Sequence, residues 1–160
     1  MEPRWLSEDE QVAWRRLIAV AALLPHELAS HLRDEHGMGM HEYWVLAMLS
    51  EATEHTLRMR ELARRAQASP SRISHTIDRL HARGWVTRQP STTDRRGQQA
   101  SLTPAGLEVV RSTAPSHVER VRQVVFDALS PSDVADLARI MDRILAKLDP
   151  TGERSPGGRY

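Results

Sequence analysis

Between Arg58 and Arg96 the chain places ten arginines, at positions 58, 60, 64, 65, 72, 79, 83, 88, 95 and 96, against three acids, Glu61, Asp78 and Asp94. A guanidinium is always charged and presents a rigid fork of donors. Its partners are carboxylate and phosphate oxygens and the O6/N7 edge of guanine. The segment carries +7 in a chain of formal charge +1, which leaves −6 for the rest. A basic segment on an acidic scaffold is the charge distribution of a nucleic-acid-binding surface. A solvated helical face has the same charge, so position must decide between them.

Position favours the first reading. Ser69-Pro70 is a strong helix start, a capping serine followed by proline at the first helical position. The helix it opens runs to Arg83 and stops at Gly84. At 100° per residue Ile73, Ile77 and Leu80 share one side, and Ser71, Arg72, His75 and Arg79 share the opposite arc. The apolar side must anchor, so the arc with small donors and two guanidiniums faces outward, which suits the major groove of duplex DNA. The free N–H groups at the helix start suit a phosphate. Further on, Asp94-Arg95-Arg96-Gly97 falls in a turn-rich loop, 90–97, between two short strands. An arginine at a hairpin tip suits the narrow minor groove. Asp94 can brace one of the two guanidiniums and leave the other for DNA.

These residues need a scaffold. Ser7 with Glu10 forms a capping-box start. Trp14, Leu17, Ile18, Ala21, Leu24, Leu28 and Leu32 follow on one helical face, with a kink or break expected at Pro25 and an end at Gly37. A second helix is expected from about His41 to Glu51, and a small strand at Leu57-Arg58. A short helix follows over Met59–Ala66, then the turn Gln67-Ala68-Ser69. After the arginine-bearing helix, strands are expected at Trp85–Gln89 and Gln98–Leu102. Thr103-Pro104 starts a long helix with a bend expected at Pro115. Ser130-Pro131 starts the last helix, where Val134, Leu137, Met141, Ile144 and Leu148 form a seam at spacings of three and four. Helix, three-residue turn, helix and hairpin make a winged helix-turn-helix. The fold class is therefore mainly α, with long N- and C-terminal helices and a two- to three-stranded wing sheet. The domain is expected over 7–149, its DNA-binding part over 57–103, its dimerisation helices over 7–36 and 104–149, and a flexible tail over 150–160.

Other chemistries fit poorly. No cysteine is present, so a disulfide framework, a thiolate zinc site and a thiol redox sensor are excluded. No apolar run is long enough to span a membrane and the N-terminus lacks the layout of a signal peptide, which fits a cytoplasmic address. There is no nucleophile elbow and no phosphate-cradling glycine loop, so no enzyme is expected. Glu27 and His31 stand at i,i+4, with His36 and His41 further on. Without an HExxH motif or a second ligand cluster, no metal or other cofactor is expected.

The stretch Asp94-Arg95-Arg96-Gly97-Gln98-Gln99-Ala100-Ser101-Leu102-Thr103-Pro104-Ala105-Gly106 resembles the D-x-R-x5-L-T-x-x-G signature of the MarR family, the multiple antibiotic resistance regulators. Met59-Arg60-Glu61-Leu62-Ala63, Ile77-Asp78-Arg79-Leu80 and Arg83-Gly84-Trp85-Val86 sit in the family's order and spacing, and the similarity covers about Ser7 to Leu148. Two positions depart from the pattern: Gln67 stands where glycine is common in the turn, and Arg60 where Ser or Thr often starts the short helix. The resemblance implies a ligand-responsive homodimeric repressor that binds a pseudo-palindromic double-stranded DNA operator. It places Ser71, Arg72, His75 and Arg79 in the recognition helix and Asp94, Arg95 and Arg96 in the wing. It also implies a pocket for a small aromatic or phenolic effector, for which His31, Trp44 and Met48 are the candidates. Two alternatives stay open: a metal-responsive regulator of the same fold, and a winged-helix protein-interaction module without specific DNA binding.

Overall fold

A computed structural model describes residues 3–90 and 97–150. The chain divides into two compact units, residues 1–40 and 41–160.

The first unit is dominated by one helix, α1 (Glu8–His36). Ser7 caps it reciprocally with Glu10: Glu10 N donates to Ser7 Oγ at 3.2 Å and Ser7 N to Glu10 Oε2 at 2.8 Å. Glu8, Asp9 and Glu10 place negative charge against the positive end of the helix dipole. Gly37 ends the helix in the left-handed region, φ +58°, and its N–H returns to the Arg33 carbonyl at 3.0 Å. The expected break at Pro25 does not occur, and α1 runs through it as 29 continuous residues. Proline removes one i→i−4 bond and crowds one carbonyl; the turns on either side keep their own bonds. The apolar face is only partly covered in the single chain. Trp14 and Ile18 are exposed, Leu23 is 69% exposed, and Leu32 is the helix's one buried residue.

The second unit opens with α2 (Met40–Glu51), whose Tyr43, Val45, Leu46 and Leu49 are buried. A 3-10 turn, Thr53–His55, follows, and His55 Nδ1 donates back to the Ser50 carbonyl at 2.9 Å. Then come β1 (Thr56–Arg58), α3 (Met59–Arg65), α4 (Pro70–Ala82), β2 (Val86–Pro90) and β3 (Gln98–Leu102). The sheet is antiparallel in the order β1-β3-β2, with Leu57 opposite Ala100 and Val86 opposite Leu102. Leu62, Ile73, Ile77, Leu80, Val86 and Ala100 form a fully buried centre between the helices and the sheet. Each large aliphatic there contributes about 1.5–3 kcal/mol by burial.

The expected bend at Pro115 likewise leaves α5 (Pro104–Val124) assigned as one continuous helix. Its start ties it to the sheet. Thr103 Oγ1 accepts from Gly106 N at 3.0 Å and donates to the Gly84 carbonyl at 2.8 Å, while Thr103 N donates to the Trp85 carbonyl at 3.0 Å. A Cβ on Gly106 would lie 2.1 Å from the Trp85 carbonyl oxygen and 2.8 Å from Leu102 Cδ1. The Leu-Thr-x-x-Gly run is thus a weld between β3, the residues after α4 and α5, and only glycine fits its last position. A 3-10 turn at Phe126–Ala128 leads to α6 (Pro131–Leu148), capped by Ser130 with Asp133. No residue of α6 is buried: Val134, Leu137, Met141 and Ile144 are half-buried and Leu148 is 64% exposed. Among the described residues, no helix is long and apolar enough to cross a membrane.

Candidate nucleic-acid interface

The surface is built around α4. Ser69 caps it by accepting from Arg72 N at 3.2 Å, and Pro70 occupies the first turn. Ile73, Thr76, Ile77 and Leu80 are buried, with Thr76 Oγ1 satisfied by the Arg72 carbonyl at 3.0 Å. Ser71, Arg72, His75 and Arg79 all lie on the exposed arc, as the helical period requires. The turn that delivers α4 passes through Gln67 in the left-handed conformation, φ +48°. A side chain there costs roughly 1–2 kcal/mol relative to glycine. The turn is closed by Ala68 N to the Ala63 carbonyl at 3.0 Å and Gln67 N to the Arg64 carbonyl at 3.2 Å. The missing glycine therefore leaves the geometry in place at some cost in strain.

Carboxylates aim several of the arginines. Glu42, at the start of α2, accepts from Arg79 Nε at 2.8 Å and lies 4.0 Å from Arg83 Nη1. The acid is 13% exposed and Arg79 is 59% exposed, so the carboxylate is an inner anchor and the guanidinium an outer group. With Nε engaged, the Nη groups of Arg79 are the ones turned to a ligand. Arg83 also stacks over the Trp85 ring at 3.7 Å. Arg88, on β2, donates to Asp78 Oδ1 at 3.1 Å, to Ser74 Oγ at 3.2 Å and to Gln98, strapping α4 to the sheet. Glu61 takes Arg64 and Arg65, each at 2.6 Å, and the Arg64 hydrogen bond above all holds its carboxyl down at about 2. His41 is pushed the other way: burial first, then the charges of Arg72 and Arg79, lower its pKa, so it adds no positive charge near neutrality.

Arg58, Arg60, Arg64 and Arg88, with Glu61 and Ser74, line a cavity of about 1080 Å³ between β1, the start of α3, α4 and the strands. Arg60 and Arg72 carry no ion pair among the described residues. The result is a concave basic surface beside an exposed helix face with small donors at its N-terminus. It can neutralise a row of phosphates and present side chains to base edges.

The remaining candidates separate. Asp94, Arg95 and Arg96 lie outside the described residues. Trp44 and Met48 stand one turn apart on α2, Trp44 exposed and Met48 half-buried. His31 belongs to the first unit, where its Nδ1 is 3.3 Å from Glu35 Oε1. The i,i+4 partner that the sequence suggested, Glu27, is replaced by the one on the other side. Glu42 was missed altogether. Its one local signal is negative: it has no basic residue three or four positions away on its own helix.

Comparison with known proteins agrees with this geometry. A model of the MarR family matches residues 36–97. The chain is 44% identical to Sco3205, a MarR family transcriptional regulator from Streptomyces coelicolor whose crystal structure is a complex with DNA. The likeness covers 97% of each chain, with a TM-score of 0.88. AbsC, a MarR family transcriptional regulator from the same organism, is 39% identical over 93% of this chain and 100% of its own, with a TM-score of 0.86. The transcriptional repressor MprA of Escherichia coli (strain K12) is 29% identical over 107 residues, which span 67% of this chain and 60% of that protein.

Proposed function

The chain belongs to the MarR family of transcriptional regulators, and from that premise we propose that it is a homodimeric regulator that binds a specific double-stranded DNA operator in the cytoplasm. One observation carries this reading. α4 anchors through Ile73, Ile77 and Leu80 and turns Ser71, Arg72, His75 and Arg79 outward beside an arginine-lined cavity. Arg79, fixed at Nε by Glu42, offers its Nη pair to guanine O6/N7, while Arg60 and the cavity arginines take phosphates. Arg95, with Arg96 braced by Asp94, contributes the minor-groove contact of the wing.

The uncovered apolar residues of α1 and of α6 supply the dimer surface, since a monomer would leave Trp14, Ile18, Leu23 and Leu148 in water. Two-fold symmetry then sets two recognition helices about one DNA turn, ~34 Å, apart. We assign the protein a repressor role responsive to a small aromatic or phenolic effector, with Trp44 and Met48, one turn apart on α2, as its apolar contacts. An effector that favours one spacing of the recognition helices shifts the population away from DNA.

The experiment is binding selection on random duplex DNA, followed by titration of Arg79→Ala on the recovered operator and on unrelated sequence. The expected result is a palindromic motif with half-sites about one turn apart and an Arg79→Ala loss of about 1–3 kcal/mol confined to the operator. Equal loss on both duplexes removes the base-reading role of Arg79. Recovery of no motif favours the protein-interaction module instead.

A further inference from the structure

We propose that the last turns of α1 hold a divalent transition-metal site made by His31, Glu35 and His36. Two imidazole nitrogens and a carboxylate oxygen, one from each residue, all lie within 4.8 Å of one another. His31 Nδ1 is 3.3 Å from Glu35 Oε1, and His36 Nε2 is 4.0 Å from Glu35 Oε2. The carboxylate therefore reaches both rings, which meet edge to face with centroids 6.2 Å apart. Zinc–nitrogen bonds of about 2.0–2.1 Å put tetrahedral donors ~3.3 Å apart, so of the three donor pairs His31–Glu35 already has the required spacing, while His36–Glu35 at 4.0 Å and the two imidazole nitrogens, within 4.8 Å, close by side-chain rotation.

Helical geometry explains why these residues converge. His31 and Glu35 are one turn apart on the same face of α1. His36 is the last helical residue before Gly37 turns the chain into the left-handed region. His31 is 12% exposed; its Nδ1 faces the Glu35 carboxylate, while its Nε2 is buried without a hydrogen-bond partner among the described residues and takes no part in the site. An i,i+4 His–Glu pair by itself is ordinary helix surface; a second imidazole on the same carboxylate makes a three-donor chelate.

The donor set selects the class of ion. Nitrogen with one carboxylate suits Zn2+, Co2+ or Ni2+, whereas Mg2+ and Ca2+ want oxygen and Cu+ wants sulfur. Three protein donors leave at least one coordination position for water or a further ligand, as in open rather than closed zinc sites. The whole site lies within the first unit, six residues of one chain, and stands independently of DNA binding.

The probe is Co2+ alone, titrated into the full-length, metal-stripped protein and followed by its visible d–d absorption, with Zn2+ as competitor. Glu35→Gln and His36→Gln are the test variants because both side chains reach solvent, and His26→Gln, exposed on the same helix, is the control. The expected result is one Co2+ per chain, displaced by Zn2+. Affinity should fall at least ten-fold in both test variants and stay unchanged in the control. Zn2+ should also raise the Tm of the wild type and the control but not of Glu35→Gln. Absence of a Co2+ spectrum in the wild type overturns the proposal. So does equal affinity in the wild type and the two test variants, which would assign the ion to other histidines.

Discussion

Glu42→Gln separates two views of the acid behind α4. Glutamine keeps the shape and one acceptor for Arg79 Nε but removes the charge. A charge-assisted hydrogen bond is worth about 1.5–3 kcal/mol and a neutral one about 0.5–1.5, so the exchange costs roughly 1 kcal/mol before screening. Arg79 is 59% exposed, which cuts this to about 0.5–1 kcal/mol. That is the bracing term, and it includes the rotamer freedom Arg79 must lose on binding once it is no longer held. The opposing term is the repulsion between Glu42 and DNA. A unit charge about one Debye length from a phosphate in water feels ~0.4 kcal/mol unscreened and well under half of that at physiological salt. Bracing exceeds repulsion, and the net of the two means that Glu42→Gln should bind the operator about 2- to 4-fold more weakly. On unrelated duplex only the repulsion term acts, and affinity should hold or rise slightly. In the Arg79→Ala background only the longer contact to Arg83 remains, so adding Glu42→Gln should weaken operator binding much less than it does in the wild type. Fluorescence anisotropy with both duplexes at one fixed salt concentration, over the four members of this cycle, reads all three statements. Tighter operator binding by Glu42→Gln, with an unchanged circular dichroism melt, would show that Glu42 merely repels DNA and that Arg79 needs no anchor.

Gly106→Ala forces a methyl to 2.1 Å from a backbone oxygen, and should destabilise the fold by about 3 kcal/mol or more in urea unfolding; a loss under about 1 kcal/mol would mean that the weld at Thr103 is free to shift. Met141→Glu together with Ile144→Glu should yield monomers in analytical ultracentrifugation that no longer bind the operator, and a monomeric wild type at micromolar concentration would contradict the dimer. Arg95→Ala should lower the slope of log K against log salt by about one unit, while Asp94→Ala should weaken binding although it removes a negative charge; tighter binding would reduce Asp94 to a turn residue. Glu61, held at about 2 against an ordinary 4.5, contributes stability that is fully present above about 4.5 and fades as pH falls toward 2. Carboxyl chemical shifts of Glu61 should therefore stay flat from pH 8 down to about pH 3.5, and a titration midpoint near 4.5 would show that the Arg64 and Arg65 clamp is open.

What could be read from the residues alone was short-range. Ser7 with Glu10, Ser69-Pro70, Thr103-Pro104 and Ser130 with Asp133 begin their helices where expected, because a cap satisfies backbone donors two or three residues away and needs no other part of the chain. The outward arc of α4 followed from the 3.6-residue period for the same reason. Proline did not break α1 at 25, since the loss of a single ladder bond need not end a long helix. Tertiary structure decided the partners. Glu42 and Arg79 are 37 residues apart, and no period or cap links them; the packing of α2 beside α4 brings their side chains to 2.8 Å. Gly106 is invisible as a necessity until the Trp85 carbonyl is seen where its Cβ would be. His31 had candidate carboxylates one turn away on either side, Glu27 and Glu35, and local spacing is symmetric between them. Only the rotamers and the turn at Gly37, which leaves His36 beside the same carboxylate, choose Glu35.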